Sequence, residues 1–478
     1  MKLSELLRRD VPVDPEITGV TADSRQVRPG YLFAALPGSQ ADGRAFVPQA
    51  LAAGAVAVLA AEEASMHVQA PVLGVGDVRR SYALAAAAFY GAQPATCVAV
   101  TGTNGKTSVA AFCRQVFERL GRHAASMGTL GVRTADAVLT PPGLTTPDAA
   151  DVAKLLADLA GRGVTHLALE ASSHGIDQRR LDGVQISAAG FTNLTQDHLD
   201  YHGSMEAYRE SKLRLFDELL PRGRTAVLNA DAEGFGAFAS CAIVNGQTLF
   251  TVGERGRGLT LVSRALLSDG QRLVVEAAGR RHDVRLPLAG AFQASNVLLA
   301  AGLCIAAGED AGEVLAACEH LEGAEGRLQR VGATPSGGEA YVDYAHTPDG
   351  LETVLKALRP HARGRLVVVF GAGGDRDRGK RPIMGEIAER CADLAIVTDD
   401  NPRTEDAAAI RAAVREGAPS ARETGDRREA IRAAVAELGE GDVLVVAGKG
   451  HEQGQIVGRT VHPFDDVAEV SRALESLR

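Results

Sequence analysis

Residues 97–121 read as a strand, a glycine loop and a helix, and this junction limits what the chain can fold into more than any other feature. The apolar run Cys97–Val100 leads into Thr101-Gly-Thr-Asn-Gly-Lys-Thr-Ser108. Beyond it Val109, Phe112, Cys113, Val116, Phe117 and Leu120 recur at spacings of three and four, and Gly121 follows. That period makes one apolar helix face, and a glycine just past it is a stop. The loop is suited to phosphate: its glycines let backbone N–H groups curl toward an anion, and the helix N-terminus adds positive potential. Lys106 would reach the terminal phosphates and Thr107 could ligate Mg²⁺. Val100 stands where the commoner G-x-x-x-x-G-K-[ST] pattern has its first glycine, so Gly102 makes a shorter GxxGKT. The loop alone does not separate a kinase, a GTPase and a ligase.

Similar apolar runs recur at Val164–Leu169, Ala188–Phe191, Ala226–Leu228, Leu366–Phe370, Leu394–Val397 and Val443–Val446, most followed by a segment of helical period. Short continuous apolar strands alternating with helices indicate buried parallel sheets, an α/β architecture. At roughly 150 residues per domain, 478 residues suggest about three domains. Breaks at Gly91–Ala95 (GAQPA) and Gly323–Gly326 (GAEG) divide the chain into residues 1–91, 92–325 and 326–478. Lys and Arg number 51 against 60 Asp and Glu, a formal charge of −9, which argues against a generic nucleic-acid binder. The start MKLSELLRRD is charged where a signal peptide needs an apolar core, and no apolar stretch approaches the ~18 residues of a membrane span, so a cytoplasmic protein is expected. Six scattered cysteines without a CxxC argue against a disulfide scaffold and a structural zinc site.

Further chemistry gathers at strand ends. Glu170 closes one apolar run and opens Ala171-Ser-Ser-His174, where a parallel sheet sets ligand-binding groups and a carboxylate can hold a metal. Asn193-Leu-Thr-Gln-Asp-His-Leu-Asp-Tyr-His202 packs two His and two Asp into ten residues after another run. Lys212 lies ten residues on in a helix-like segment, and spacing alone makes it a surface lysine. The last segment has three polar strand ends: Phe370-Gly-Ala-Gly-Gly-Asp-Arg-Asp-Arg-Gly-Lys-Arg-Pro382, Thr398-Asp-Asp-Asn-Pro-Arg403 and Ala447-Gly-Lys-Gly-His-Glu452. In a parallel sheet these converge on one edge. Arg there can bind a carboxylate bidentately and Asp or Glu an ammonium, a site for a zwitterion.

TGTNGKTS, the Glu170-Ala-Ser-Ser-His-Gly run, NLTQDHLDYHG, GAFQASN, VDYAHTPD, GGDRDRGKRP, DDNPR and GKGHE resemble, in order and spacing, the Mur ligases of peptidoglycan synthesis. The likeness spans nearly the whole chain. Thr21-Ala-Asp-Ser-Arg25, Gly30-Tyr-Leu-Phe33 and Gly38-Ser-Gln-Ala-Asp-Gly43 resemble the UDP-binding domain of the members that add the third peptide residue. DNPR, here Asp400–Arg403, marks the members that take diaminopimelate; lysine-adding relatives replace the Arg. The resemblance implies an N-terminal UDP-sugar-binding domain, a central phosphate-loop ATPase domain with a parallel sheet and a C-terminal Rossmann-like domain. It implies ADP-forming ligation of meso-diaminopimelate to UDP-N-acetylmuramoyl-L-alanyl-D-glutamate through an acyl phosphate, in a cytoplasmic monomer with no nucleic-acid or membrane partner.

The resemblance also assigns residues. Gly102, Thr103, Asn104, Gly105, Lys106, Thr107 and Ser108 would cradle ATP, with Asn296, Arg327, Asp343 and His346 as further ATP contacts. Thr107 and Glu170 would hold one Mg²⁺, and His198 with Lys212 a second, Lys212 as a carbamate that turns a repelling ammonium into an anionic oxygen ligand. The UDP-sugar peptide would meet Ala22, Ser24, Ser39, Gln40, Ala41, Thr145, Thr146, Ser172, Gln178 and Arg180. The amino acid would meet Arg376, Asp400, Asn401, Pro402, Arg403, Gly448 and Glu452. Two departures are Leu144, where many relatives carry Asn, and Ser108 in place of Thr. Rival readings are the same ligase using L-lysine, a folylpolyglutamate synthetase, the ligase adding D-alanyl-D-alanine, a phosphate-loop kinase or NTPase, and a non-catalytic scaffold. The intact Lys106 and Thr107 count against the scaffold, and DDNPR against the other ligases.

Overall fold

The seven apolar runs lie in strands because parallel strands covered on both faces need side chains that tolerate complete burial. A computed structural model describes residues 1–38, 42–62, 70–267 and 270–477. The chain divides into two compact units, one of residues 1–260 with 298–314 and the other of 261–297 with 315–478.

The first unit contains two sheets. β1 (Gly19–Thr21), β2 (Tyr31–Ala34), β3 (Ala57–Ala61) and β4 (Val72–Val75) form a parallel sheet in that order. The helix Val78–Tyr90 packs on it through Val78, Tyr82, Ala83, Ala85 and Ala86. The second sheet is built from β5 (Thr96–Thr101), β6 (Ala124–Gly128), β7 (Gly131–Arg133), β8 (Val138–Thr140), β9 (His166–Glu170), β10 (Ala188–Phe191), β11 (Thr225–Asn229), β12 (Thr248–Gly253) and the start of β13 (Leu259–Leu267). Its order, β13-β12-β11-β10-β5-β9-β6-β7-β8, sets β5 between β10 and β9, both parallel to it. The loops after these three strands therefore open at one edge of the sheet. Tyr82, which donates to Asp148 at 2.5 Å, links the two layers together with Ala149, Ala150 and Ala153.

The second unit contains the antiparallel hairpin of β14 (Gly270–Ala277) and β15 (Arg280–Leu286). It also contains β16 (Gln329–Ala333), β17 (Glu339–Asp343), β18 (Leu366–Phe370), β19 (Leu394–Val397), β20 (Arg422–Glu423) and β21 (Val443–Ala447), in the order β16-β17-β21-β18-β19-β20. All pairs except β16·β17 are parallel. β18 and β21 are buried along their whole length, with one apolar cluster on each face of the sheet. A final hairpin, β22 (Gly454–Val457) with β23 (Thr460–Pro463), precedes the helix Asp466–Glu475. Among the described residues no helix is long and apolar enough to cross a membrane.

Candidate functional site

The phosphate loop is shaped by its neighbour strand. Gly102 (φ +146°) and Gly105 (φ +88°) adopt backbone angles that favour glycine, and a Cβ on Gly102 would collide with Thr192 Oγ1. Thr103 N donates to Asn193 O at 2.8 Å and Asn104 N to Asn193 Oδ1 at 3.0 Å. Thr103 Oγ1 donates to Thr195 O at 3.0 Å and accepts from Thr195 N at 2.9 Å. The loop thus holds its curl through the end of β10. No side chain caps the helix Lys106–Arg119 at Gly105, so its first N–H groups face outward as an anion-binding end. Lys106 Nζ lies back on the loop, donating to Gly102 O at 2.9 Å and Thr103 O at 2.7 Å. Thr107 and Ser108 are buried in the first helical turn.

Glu170, 3% exposed at the end of β9, meets the loop from the other side. Its Oε2 accepts from Thr107 Oγ1 at 3.0 Å and from Thr129 Oγ1 at 3.2 Å, and its Oε1 from Thr129 N at 2.9 Å. A hydroxyl and a carboxylate are the hard oxygen donors that Mg²⁺ takes, so this pair fits the ion. Lys212 is not a surface lysine: its side chain is sealed in the helix Met205–Arg214, 1% exposed. Nζ donates to Gly102 O at 2.8 Å and sits 4.3 Å from the centre of the Tyr208 ring. Burial, reinforced by Lys106, drives its pKa well below the usual lysine range. A neutral amine is the form that carbamylation requires. His198 is half-exposed in a left-handed conformation, its ring edge-on to His174 at 4.9 Å, with Asp197 at 3.5 Å. Among the described residues no three His, Cys, Asp or Glu side chains form a ready metal cluster.

The residues assigned to the sugar peptide are brought only partly together. Thr145 Oγ1 lies 3.0 Å from Thr129 Oγ1, and Thr146 Oγ1 bonds Glu170 O at 3.1 Å and Ser172 Oγ at 2.9 Å. Ser172 caps the short helix Ser173–Asp177. Arg180 donates to Thr146 O at 2.6 Å and to Gln178 Oε1 at 2.8 Å, which ties this wall to Glu170. Leu144 is 67% exposed and contributes no polar group. Ala22 and Ser24 follow β1, where Ser24 Oγ bonds Gln49 Oε1 at 3.1 Å. Ser39, Gln40 and Ala41 lie outside the described residues.

In the second unit the loops after β17, β18, β19 and β21 surround a cavity of about 700 Å³. Arg376, Asp400, Asn401, Arg403, Gly448 and Glu452 all line it, as do Tyr344, His346 and Lys380. Pro402 is buried behind it, accepting a bond from Glu405 N at 3.1 Å. The convergence expected of three polar strand ends is therefore present. Arg403 holds a left-handed conformation (φ +51°), with Nη1 donating to Gly374 O at 2.8 Å. Gly448 (φ +122°) keeps space for Asp400 Oδ2, which a Cβ would press at 2.5 Å. Asn401 Nδ2 donates to Glu452 Oε2 at 2.9 Å.

Asp343 ends β17, receiving Leu328 N at 2.6 Å and Ala345 N at 2.8 Å. Burial pushes its carboxyl pKa up, and Arg327 and those two N–H groups counter the shift. Arg327 lies over the Tyr344 ring at 4.7 Å, and its Nε finds no hydrogen-bond partner among the described residues. His346 Nδ1 is 2.9 Å from Tyr344 O, which makes that nitrogen the donor. Asn296 Nδ2 donates to Gln293 Oε1 at 3.1 Å, and Gln293 Nε2 donates to Arg327 O at 3.4 Å.

Four structurally central residues escaped the sequence reading. Thr129 carries no motif signal although it contacts Glu170 twice. Lys449, inside GKGHE, is buried beneath the cavity. Arg427 and Asp466, 39 residues apart, form a wholly buried bidentate pair, with Nε–Oδ1 at 2.8 Å and Nη2–Oδ2 at 2.7 Å.

Three family models match the chain: "Mur ligase family, catalytic domain" over residues 16–90, "Mur ligase middle domain" over 100–304 and "Mur ligase, glutamate ligase domain" over 326–450. The UDP-N-acetylmuramoyl-L-alanyl-D-glutamate–2,6-diaminopimelate ligase of Caulobacter vibrioides is 69% identical over 481 residues, covering 100% of this chain and 99% of that protein. Its namesake in Bradyrhizobium diazoefficiens is 53% identical, with the same coverage. A solved structure of a ligase of that name superposes with a TM-score of 0.76 at 35% identity, covering 100% of this chain and 99% of the other. The Thermotoga maritima MurF ligase in complex with ADP shares the fold, with a TM-score of 0.61 at 17% identity over 96% of this chain and 97% of that one. With its length matched in three consecutive parts and whole-chain identity this high, the chain belongs to the Mur ligase family.

Proposed function

We propose that the chain is an ATP-dependent, ADP-forming amide ligase of peptidoglycan precursor synthesis that joins meso-2,6-diaminopimelate to UDP-N-acetylmuramoyl-L-alanyl-D-glutamate. The observation that carries this reading is the cavity lined by Arg376, Asp400, Asn401, Arg403, Gly448 and Glu452, which offers both signs of charge to a doubly zwitterionic amino acid. The curated relatives bear this activity in their names. We assign residues 1–91 to UDP-sugar binding, 92–325 to ATP and 326–478 to the amino acid, in a cytoplasmic monomer.

A free carboxylate is a poor electrophile, so the γ-phosphoryl group of ATP passes first to the D-glutamyl carboxylate, releasing ADP. The neutral amine of diaminopimelate then attacks the acyl carbon, and the tetrahedral adduct expels phosphate as the amine loses its proton. The chain's task is positioning and charge neutralisation. Lys106 and the open N–H groups of its helix hold the phosphates. Mg²⁺ bound by Thr107 and Glu170 would neutralise phosphate charge, with His198 and carbamylated Lys212 as ligands of a second ion. Arg180 and Arg403 orient carboxylates of the two acceptors.

Phosphate release from ATP and Mg²⁺ with the UDP-sugar dipeptide tests the reading when meso-diaminopimelate, L-lysine and no amino acid are compared. Release that needs diaminopimelate is expected. Release with lysine would overturn the Arg403 assignment, and release indifferent to both amino acids would overturn the ligase.

A further inference from the structure

The floor of the amino-acid cavity is supported by a cation that does not line it. Lys449 has a side-chain exposure of 0%, yet its Nζ donates to Asn401 Oδ1 at 2.8 Å and to Glu452 Oε2 at 3.4 Å, and lies 3.9 Å from Asp400 Oδ1. One buried ammonium thus touches the three residues that form the polar wall. It is a charge partner shared by Asp400, itself 7% exposed, and Glu452, with Arg427 as a further buried cation that acts on both. It also settles the orientation of Asn401. Because Oδ1 accepts from both Lys449 Nζ and Ile456 N (2.9 Å), Nδ2 turns toward Glu452. The hairpin Gly454–Pro463 braces the same wall from outside, with Gln455 Nε2 donating to Asp400 O at 2.9 Å.

We propose that Lys449 is a positioning residue for the amino acid, with Gln455 as its outer brace: together they hold Asp400, Asn401 and Glu452 in the one arrangement that receives an ammonium-bearing substrate. The inference rests on the functional reading above and deepens it at the same site. Lys449 would act through its three neighbours and would not touch the substrate. Its loss would leave Asp400 and Glu452 with Arg427 as the remaining cation that acts on both, and the Asn401 amide held through Ile456 N and Glu452 alone.

The test measures KM for meso-diaminopimelate, ATP and the UDP-sugar dipeptide in the full-length enzyme and in K449M, K449Q and Q455A, with the thermal transition of each. K449M is expected to raise KM for diaminopimelate about tenfold or more, the scale of losing a hydrogen bond to a charged group, with the other two constants within about twofold. K449Q, which keeps an N–H donor for Asn401 without the charge, should recover part of the loss. Q455A should shift KM in the same direction by less. A diaminopimelate KM unchanged in K449M, or all three constants raised alike, overturns the positioning role. Should K449M not fold, an unchanged diaminopimelate KM in both K449Q and Q455A does the same. Phosphate release by the unmodified enzyme that ignores the diamino acid overturns the functional reading, and the proposal with it.

Discussion

Lys106 and Lys212 converge on a single carbonyl: both ammonium nitrogens donate to Gly102 O, at 2.9 and 2.8 Å. Two cations on one neutral acceptor repel each other, and the buried one yields, so burial and Lys106 together hold Lys212 well below the usual lysine range. The phosphate loop therefore has a second lysine beneath it, whose charged form is disfavoured by burial and by Lys106.

Replacing Lys212 with methionine is expected to abolish phosphate release while leaving the thermal transition unchanged or higher. An apolar side chain of similar length removes a buried amine that costs stability, so a functional residue is traded for a better packed one. Activity assays and calorimetry on the same preparation check this, and a large fall in the transition temperature would show that Lys212 serves the fold.

Glu170→Gln keeps the shape of the group between Thr107 and Thr129 but removes its charge. Activity should fall by at least about 100-fold, the scale expected when a metal-holding oxygen is weakened. Raising the Mg²⁺ concentration should recover part of it, and full activity at ordinary Mg²⁺ would exclude Glu170 as a ligand.

Arg403→Ala removes the guanidinium from the cavity while keeping the left-handed backbone. Loss of a partly buried charge partner, about 2–4 kcal/mol, corresponds to a rise of roughly 30- to 1000-fold in KM for diaminopimelate. KM for ATP should not move. Unchanged selectivity over L-lysine would refute the role given to Arg403.

The Arg427–Asp466 pair is fully buried, and Arg427 Nη2 also donates to Ala447 O at 3.0 Å, at the end of β21. Arg427→Leu alone leaves Asp466 as a buried unpaired carboxylate and should destabilise by about 3–5 kcal/mol. The double replacement R427L/D466L should recover most of that in a urea titration. A single variant as stable as the parent would count against the pair's structural role.

Glu405 joins the two loops that carry GGDRDRGKRP and DDNPR by accepting from Arg381 and from Asp375 N at 2.7 Å. The Arg381 hydrogen bond first, then the Asp375 amide, lower its pKa from 4.5 to about 2. A depressed carboxylate stabilises the fold above its unfolded pKa and loses that contribution as pH falls toward the folded value. E405Q should therefore be less stable than the parent at pH 7, and the difference should shrink between about pH 4.5 and pH 2. Thermal transitions across that window check the sign.

Much of the site was legible because its parts are local. The glycine loop announces itself by composition, and the helix after it by period; both appear where expected, with Gly121 in a positive-φ turn past the helix end. The polar ends of the runs at 370, 397 and 447 predicted a shared edge, which the strand order β17-β21-β18-β19 supplies. The role of Lys212 was not legible from spacing. Its largely polar helix gives no sign that this residue faces inward, because the group that receives it, Gly102 O, lies 110 residues earlier.

The alternation of buried strands and helices, the phosphate loop and the motifs that end each strand follow from residues near one another in the chain, since they depend on side-chain period and on glycine's freedom. Which distant polar groups meet depends instead on the folded arrangement. Arg427 with Asp466, Lys449 with Asn401 and Glu170 with Thr129 are separated by 39, 48 and 41 residues. Their pairing depends on strand order and register, which bring groups without any shared local pattern within hydrogen-bond reach and remove the water that would otherwise screen them.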